Sequence, residues 1–354
     1  MTERAIIEQA TRLRRQREAH LVATIVRAEG CRTGARMLLT QFRWITSSAS
    51  GVSLEAEVAN IGWERTRRGE PFLLQCQAPD GDLCSAFGLD GEGAVELLVE
   101  RAGVPGRIDP LEIADRCLRT QRRGAVVTVI GGGKLGARVA LVAGEDPTGE
   151  IDEPSLRDAM IDDCRRALET GESGLRRYGD VDCYVEAILP PPRLFIFGIG
   201  HDAVPIVQLA RAIGWDVAVC GHEPRHATRT RFSQADEVLV GTASDLAARV
   251  DECDRAVCLV MSHRYELDRA NLGVLVGTHA RYIGVPGPRQ RTAKMLEELC
   301  LGTYDDPRLH APVGLDLGAE TAHEQALAII AEIQAVLRHA PAVSHLPVRH
   351  ALVA

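Results

Sequence analysis

The chain is 354 residues long, 45% hydrophobic and 25% charged, with 4% aromatic residues and a formal net charge of −8. That length exceeds one ordinary core and implies two or three domains, built on aliphatic rather than aromatic side chains. The acidic balance argues against a nucleic-acid partner, because no large basic field exists to release phosphate counterions.

No apolar run reaches the roughly 18 residues of a membrane span. The opening MTERAIIEQATRLRRQRE is charged and helix-periodic, unlike a signal peptide. Ten cysteines are scattered without CxxC spacing, so no zinc knuckle or redox dithiol is encoded locally and no metal site is expected. Scattered cysteines without an export signal read as reduced thiols of a cytoplasmic protein.

Residues 4–17 read as an amphipathic helix whose basic run Arg12-Leu13-Arg14-Arg15 is its solvated face. A second helix is expected at Leu54–Thr66 and a strand at Gly93–Glu100. A third helix is expected at 154–171, with Pro154 in its first turn and Gly171 at its end. A short repeat runs through this half. The strand beginning Val22 leads to Gly34-Ala35-Arg36, and the strand beginning Val126 leads to Gly136-Ala137-Arg138. Two such hairpins suggest a pseudo-symmetric sheet or a pair of related lobes. Pro190-Pro191-Pro192 can continue neither a helix nor a central strand and marks the main boundary. The expected organisation is an α+β, hairpin-rich domain over 1–189, with sub-lobes at about 1–110 and 111–189. A second domain follows over 193–338, then a tail over 339–354.

Two segments match Gly-x-Gly-x-x-Gly/Ala. Gly131 to Gly136 is followed by the strand-like ARVALVA, so it lacks the helix N-terminus that holds a pyrophosphate and reads as a hairpin turn. The run Gly198-Ile199-Gly200-His201-Asp202-Ala203 has the right context. The strand LFIF precedes it, and a helix follows with Ala203, Ile206, Val207, Ala210 and Ile213 on one face. Strands at 215–220, 237–240, 256–261 and 282–285, with helices near 265–276 and 289–300, complete a βαβ series. The fold class is therefore α/β, with a C-terminal Rossmann-type doubly wound parallel sheet. The carboxylate that binds an NAD ribose belongs at the end of the second strand. Here Gly221-His222 stands there, and Arg225 lies nearby, a pattern that also accommodates the 2′-phosphate of NADP. Ser262-His263 and Gly287 fall beyond other strand ends, where ligands of such sheets lie. His263 is a candidate acid or base. Asp316 and Glu320 lie in a glycine-rich turn before the last long helix, with Glu320 placed to cap it at Thr321.

The runs FGIGHDAVPIVQLARAIGWDVAVC, VMSHRYELD, YIGVPGPRQR and LHAPVGLDLGAETAHEQALAIIAEI resemble the C-terminal domain of the XdhC/CoxI family. VATIVRAEG, GARMLLT and SGVSLEAEV are similar to its N-terminal domain. The resemblance implies an accessory protein of xanthine dehydrogenase and other molybdenum hydroxylases. Such a protein binds the molybdenum cofactor, supports its sulfuration by a cysteine desulfurase, and acts as a cytoplasmic homodimer. The family's cysteine in Ser-Gly-Gly-Cys-Leu-Glu is replaced by Ser53, between Gly51 and Glu55, and its second cysteine is absent at Asp90–Gly93. A serine hydroxyl is neither a soft ligand nor a sulfur carrier, which argues against a sulfur relay there. Two readings follow, beside a non-catalytic one as a nucleotide-sensing scaffold. In one, a molybdopterin-type cofactor sits over Gly198–Asp202, with Glu55, Arg36 and Ser53 lining the site. In the other, the chain is a repurposed NAD(P)-dependent oxidoreductase, with hydride chemistry assisted by His263, Glu55 or Asp316.

Overall fold

A computed structural model describes residues 2–28, 33–41, 44–47, 52–77, 94–224, 229–301 and 306–340, with backbone alone at 44–47, 52–57, 76–77 and 94. The chain divides into two compact units, Met1–Pro190 and Pro191–Ala354.

The first unit is one motif written twice. Helix α1 (Glu3–Arg15) leads into β1 (His20–Ala28), β2 (Arg36–Thr40) and β3 (Trp44–Ser47), then α2 (Val52–Arg65), β4 (Phe72–Gln77) and β5 (Ala94–Arg101). The same order follows with α3 (Pro110–Thr120), β6 (Gly124–Gly131), β7 (Arg138–Val142), β8 (Thr148–Gly149), α4 (Pro154–Thr170), β9 (Gly174–Tyr178) and β10 (Val181–Ile188). Among the described residues the two sheets have matching strand orders, β3-β2-β1-β5-β4 and β8-β7-β6-β10-β9. The repeat extends to single hydrogen bonds. Ile25 N–H donates to Ala35 and Gly34 N–H to Ile25, as Val129 N–H donates to Ala137 and Gly136 N–H to Val129. Gly34 and Gly136 both need φ > 0, at 91° and 73°, which is why a glycine opens each Gly-Ala-Arg. The Gly131–Gly136 fingerprint is thus a hairpin turn between β6 and β7.

Burial sorts the faces. Leu21, Ile25, Met37, Leu39 and Leu97 form one outer core with Val58 of α2. Val127, Val139, Met160 and Cys164 of α4 form its counterpart. Between them, Ile6, Ile7 and Ala10 of α1 and Leu111, Ala114 and Cys117 of α3 join Val22, Leu38, Val126 and Ala140. Helix starts follow local chemistry. Asp109 accepts from the Leu111 N–H at 2.8 Å, Pro110 and Pro154 occupy first-turn positions, and Gly171 ends α4 at φ 72°.

Two ion pairs tie the repeats together. Arg36 of β2 donates to Glu186 of β10 at 2.5 and 2.6 Å, and Arg138 of β7 donates to Glu100 of β5 at 2.5 Å. The arginine side chains are 3% and 2% exposed, so each charge of one repeat is neutralised inside the other. Burial by itself would lower the Arg36 pKa, but the charges of Glu186 and Glu3 outweigh it and the net shift is upward.

The second unit holds β11 (Arg193–Phe197), α5 (Ala203–Ala212), β12 (Asp216–Gly221), β13 (Glu237–Val240) and α6 (Ala243–Asp251). There follow β14 (Ala256–Val260), α7 (Tyr265–Leu275), β15 (Tyr282–Gly284), α8 (Arg289–Glu298), β16 (Leu309–His310) and α9 (Ala322–Leu337). The sheet is parallel, in the order β13-β12-β11-β14-β15-β16. This is the 3-2-1-4-5-6 order of dinucleotide-binding folds. Both faces are apolar. Leu194, Ile196 and Val219 pack under α5 and α9, while Phe195, Phe197 and Cys258 pack under α6 and α7. Ile213 departs from the expected helix face: α5 stops at Ala212, and Ile213 is 44% exposed. Among the described residues, no helix is long and apolar enough to cross a membrane.

Candidate functional site

In a doubly wound sheet, ligands bind outside the carboxyl ends of the strands, at the point where strand order reverses. Here that point lies between β11 and β14. Gly198–Asp202 follows β11, and Met261–Arg264 follows β14. Gly198 is required by close packing, since a Cβ there would collide with the backbone carbonyl of Met261. Its N–H donates to Cys220 at 3.1 Å, and Met261 N–H donates to Phe197 at 2.9 Å, which fastens the turn to both neighbouring strands. Helix α5 begins tightly: the N–H groups of Ala203 and Val204 reach back to Gly200 and His201 at 3.3 Å. Ile199 is half-buried and His201 exposed.

Asp202 and His263 meet across the strand ends. His263 Nε2 lies 2.6 Å from Asp202 Oδ2, and His263 holds a left-handed φ of 60°. The His263 side chain is 60% exposed and that of Asp202 25%. The backbone that sets this conformation is braced from below by Asp268 of α7, which is 1% exposed. Its carboxylate accepts from Ser262 N–H at 2.8 Å, Ser262 Oγ at 2.6 Å and Arg291 Nη2 of α8 at 2.6 Å. One buried charge therefore ties the loop after β14 to the start of α8, where Gly287 (φ 99°) makes the turn.

Gly221 is buried at the end of β12, and its carbonyl accepts from Gly241 N–H at 3.3 Å. His222 is half-buried beside it, and Glu223 pairs with Arg264 at 2.8 Å. No carboxylate thus stands at the ribose position in the second strand itself. Arg225 lies outside the described residues. Asp316 is exposed ahead of α9, and no hydrogen bond or ion pair among the described residues joins it to His263 or Asp202. Thr321 and Glu324 form the capping box of α9, so the cap falls to them rather than to Glu320. Glu55 is in α2 of the first unit, with its side chain, like that of Ser53, outside the described residues. Arg36 is a correction: it is buried against Glu186, a structural ion pair rather than a group lining a ligand site.

Asp268 and Arg291 are site residues that the sequence patterns above do not single out. The spacing Ser262-x5-Asp268 across a strand-to-helix turn is the available signal, since such a carboxylate reaches back to the loop N–H groups.

The donor set limits what can bind. Among the described residues, no group of three or more His, Cys, Asp or Glu side chains could hold a metal ion. Burial pushes the Cys220 thiol up to about 12 and Cys258 well above its ordinary value, so neither presents a thiolate. The backbone turn suits a phosphate held by N–H groups.

Residues 194–333 match the family model described as the XdhC Rossmann domain. Over 324 residues the chain is 27% identical to a probable xanthine dehydrogenase subunit of Bacillus subtilis (strain 168), covering 89% of this chain and 92% of that protein. It is 28% identical over 235 residues to YqeB of Escherichia coli (strain K12), covering 62% of this chain and 40% of that protein. A crystal structure described as a xanthine dehydrogenase from Bacillus halodurans shares the fold, with a TM-score of 0.74 over 98% of both chains at 21% identity.

Proposed function

We propose that the chain, whose residues 194–333 match the XdhC Rossmann domain, is an XdhC-family accessory protein of a molybdenum hydroxylase of the xanthine dehydrogenase kind. Its Rossmann unit holds the phosphate-bearing end of a molybdopterin-type cofactor over Gly198–Ala203. The observation that carries this reading is the glycine turn at the strand-order reversal, inside the matched residues 194–333. The residues fit a phosphate better than a metal: a glycine turn leads into a helix start, the kind of backbone that holds phosphates, and the neighbouring thiols are protonated and buried. On this reading the protein grips the organic part of the cofactor, and with Ser53 where the family carries a cysteine, sulfur reaches it from a partner such as a cysteine desulfurase.

A second reading, an NAD(P)-dependent oxidoreductase, is favoured by one feature. The Asp202–His263 pair spans the crevice and could handle a proton there. Anaerobic purification, followed by assay of bound pterin and molybdenum and by fluorescence titration with NADH and NADPH, separates the two. Pterin without nicotinamide binding is the expected result; nicotinamide binding without pterin overturns the accessory reading.

A further inference from the structure

Resting on the Rossmann-site reading, we propose that Asp202 is a specificity determinant: its carboxylate is a built-in occupant of the phosphate turn, which an anionic ligand must displace. The strand order puts the ligand crevice between the ends of β11 and β14. The Asp202–His263 contact of 2.6 Å runs from one end to the other. The second carboxylate oxygen fills the open side of Gly200. A Cβ at Gly200 would collide with Asp202 Oδ1 and would lie 3.5 Å from His263 Cδ2. That open side is what lets a phosphate approach the backbone in such turns.

The fold does not need this arrangement for itself. Asp202 stands at the start of α5 yet makes no side-chain cap hydrogen bond. His263 takes a left-handed φ of 60°, a conformation that costs a β-carbon residue energy, for a contact to a side chain while itself 60% exposed. Exposed pairs contribute little to stability. The expense of the buried Asp268 bracket and the left-handed His263 is accounted for if the contact serves the crevice rather than the core.

Two anions cannot share the turn. When a ligand phosphate enters, the Asp202 side chain rotates off Gly200, and the Nε2–H of His263 passes from the carboxylate to a phosphate oxygen. Small anions that offer only charge are disfavoured. A larger ligand, with further contacts along the crevice, retains enough affinity to displace the carboxylate.

The test is calorimetric titration of the full chain with pyrophosphate, ADP and NADH, in wild type, D202N and H263A. D202N keeps the shape and removes the charge. It is expected to bind pyrophosphate and ADP about tenfold tighter than wild type, equivalent to about 1.4 kcal/mol, with an unchanged circular dichroism spectrum. H263A, which leaves the carboxylate and removes the donor, is expected to bind no tighter than wild type. Equal or weaker binding by folded D202N overturns the proposal while leaving the Rossmann-site reading standing. Binding of none of the three probes to any variant overturns that reading as well, and tighter binding by H263A refutes the transfer of the hydrogen bond.

Discussion

Replacing Glu186 by Gln tests what holds the first unit together. Arg36 is 3% exposed and donates two hydrogen bonds to this one carboxylate, at 2.5 and 2.6 Å. Its other acidic neighbour, Glu3, is 3.8 Å away and 57% exposed, so solvent screens much of its charge. Breaking a buried pair from one side costs about 3–5 kcal/mol, because the remaining charge is left uncompensated. The partial help from Glu3 places E186Q near the lower end, at about 3 kcal/mol. With a urea m-value of about 2 kcal/mol/M, the unfolding midpoint of this unit falls by about 1.5 M. Tryptophan fluorescence in a W215F background reads the transition, because Trp44 and Trp63 belong to the first unit and Trp215 to the second. The double variant R36M/E186L should recover to within about 1 kcal/mol of wild type, since apolar replacement of a whole buried pair is often neutral. A loss below about 1 kcal/mol in E186Q, or a double variant no more stable than the single one, refutes the reasoning.

Further outcomes follow from the same geometry. D268N removes the charge opposite Arg291 and weakens the bracket under Ser262; differential scanning calorimetry should show a lower Tm for the second unit, with ligand affinity down about tenfold (about 1.4 kcal/mol). H263G relieves a left-handed residue by about 1 kcal/mol, so the second unit should be as stable as wild type or more so in urea while ligand affinity falls; a clear loss of stability would contradict this. Burial raises the thiols of Cys117, Cys164, Cys183 and Cys220 from 9.0 to about 12. Their folded pKa values lie above the unfolded ones, so the unfolded chain binds fewer protons above about pH 9. Stability should be flat in this respect below about pH 9 and fall between about pH 9 and 12, as urea midpoints at about pH 8 and 10.5 would reveal. Among the described cysteines only Cys300 is exposed, and a thiol reagent on the native protein should label it before the buried six, a preference that C300S abolishes.

The second unit is readable from sequence because its signals are local. LFIF before Gly198, and the apolar spacing of Ala203, Ile206, Val207 and Ala210 after it, specify strand, turn and helix within a short window. Helix α6 escapes such a reading although Thr242 and Asp245 form a capping box, because Ala243–Asp251 is short and its buried face, Leu246, Ala247 and Val250, spans little more than one turn. In the first unit the Gly-Ala-Arg repeat is visible, as the positive φ of its glycine demands that residue. The use of its arginines is not. Arg36 meets Glu186 across 150 positions of sequence, and no periodicity encodes a partner that distant. The site divides the same way. Gly198, Gly200 and His263 stand out by spacing, whereas the roles of Asp202 and Asp268 depend on strands brought together by the sheet.

The crossed ion pairs also bear on how the chain comes off the ribosome. The carboxylate that neutralises Arg36 is translated 150 residues after it. At roughly 5–20 residues per second, Arg36 waits on the order of 10–30 s for its counter-charge. Through that interval the first repeat carries a cation that only the exposed Glu3 helps to balance, where its interior should close. Vectorial synthesis thus leaves the early half open until the late half arrives, and the two copies reach their final state together.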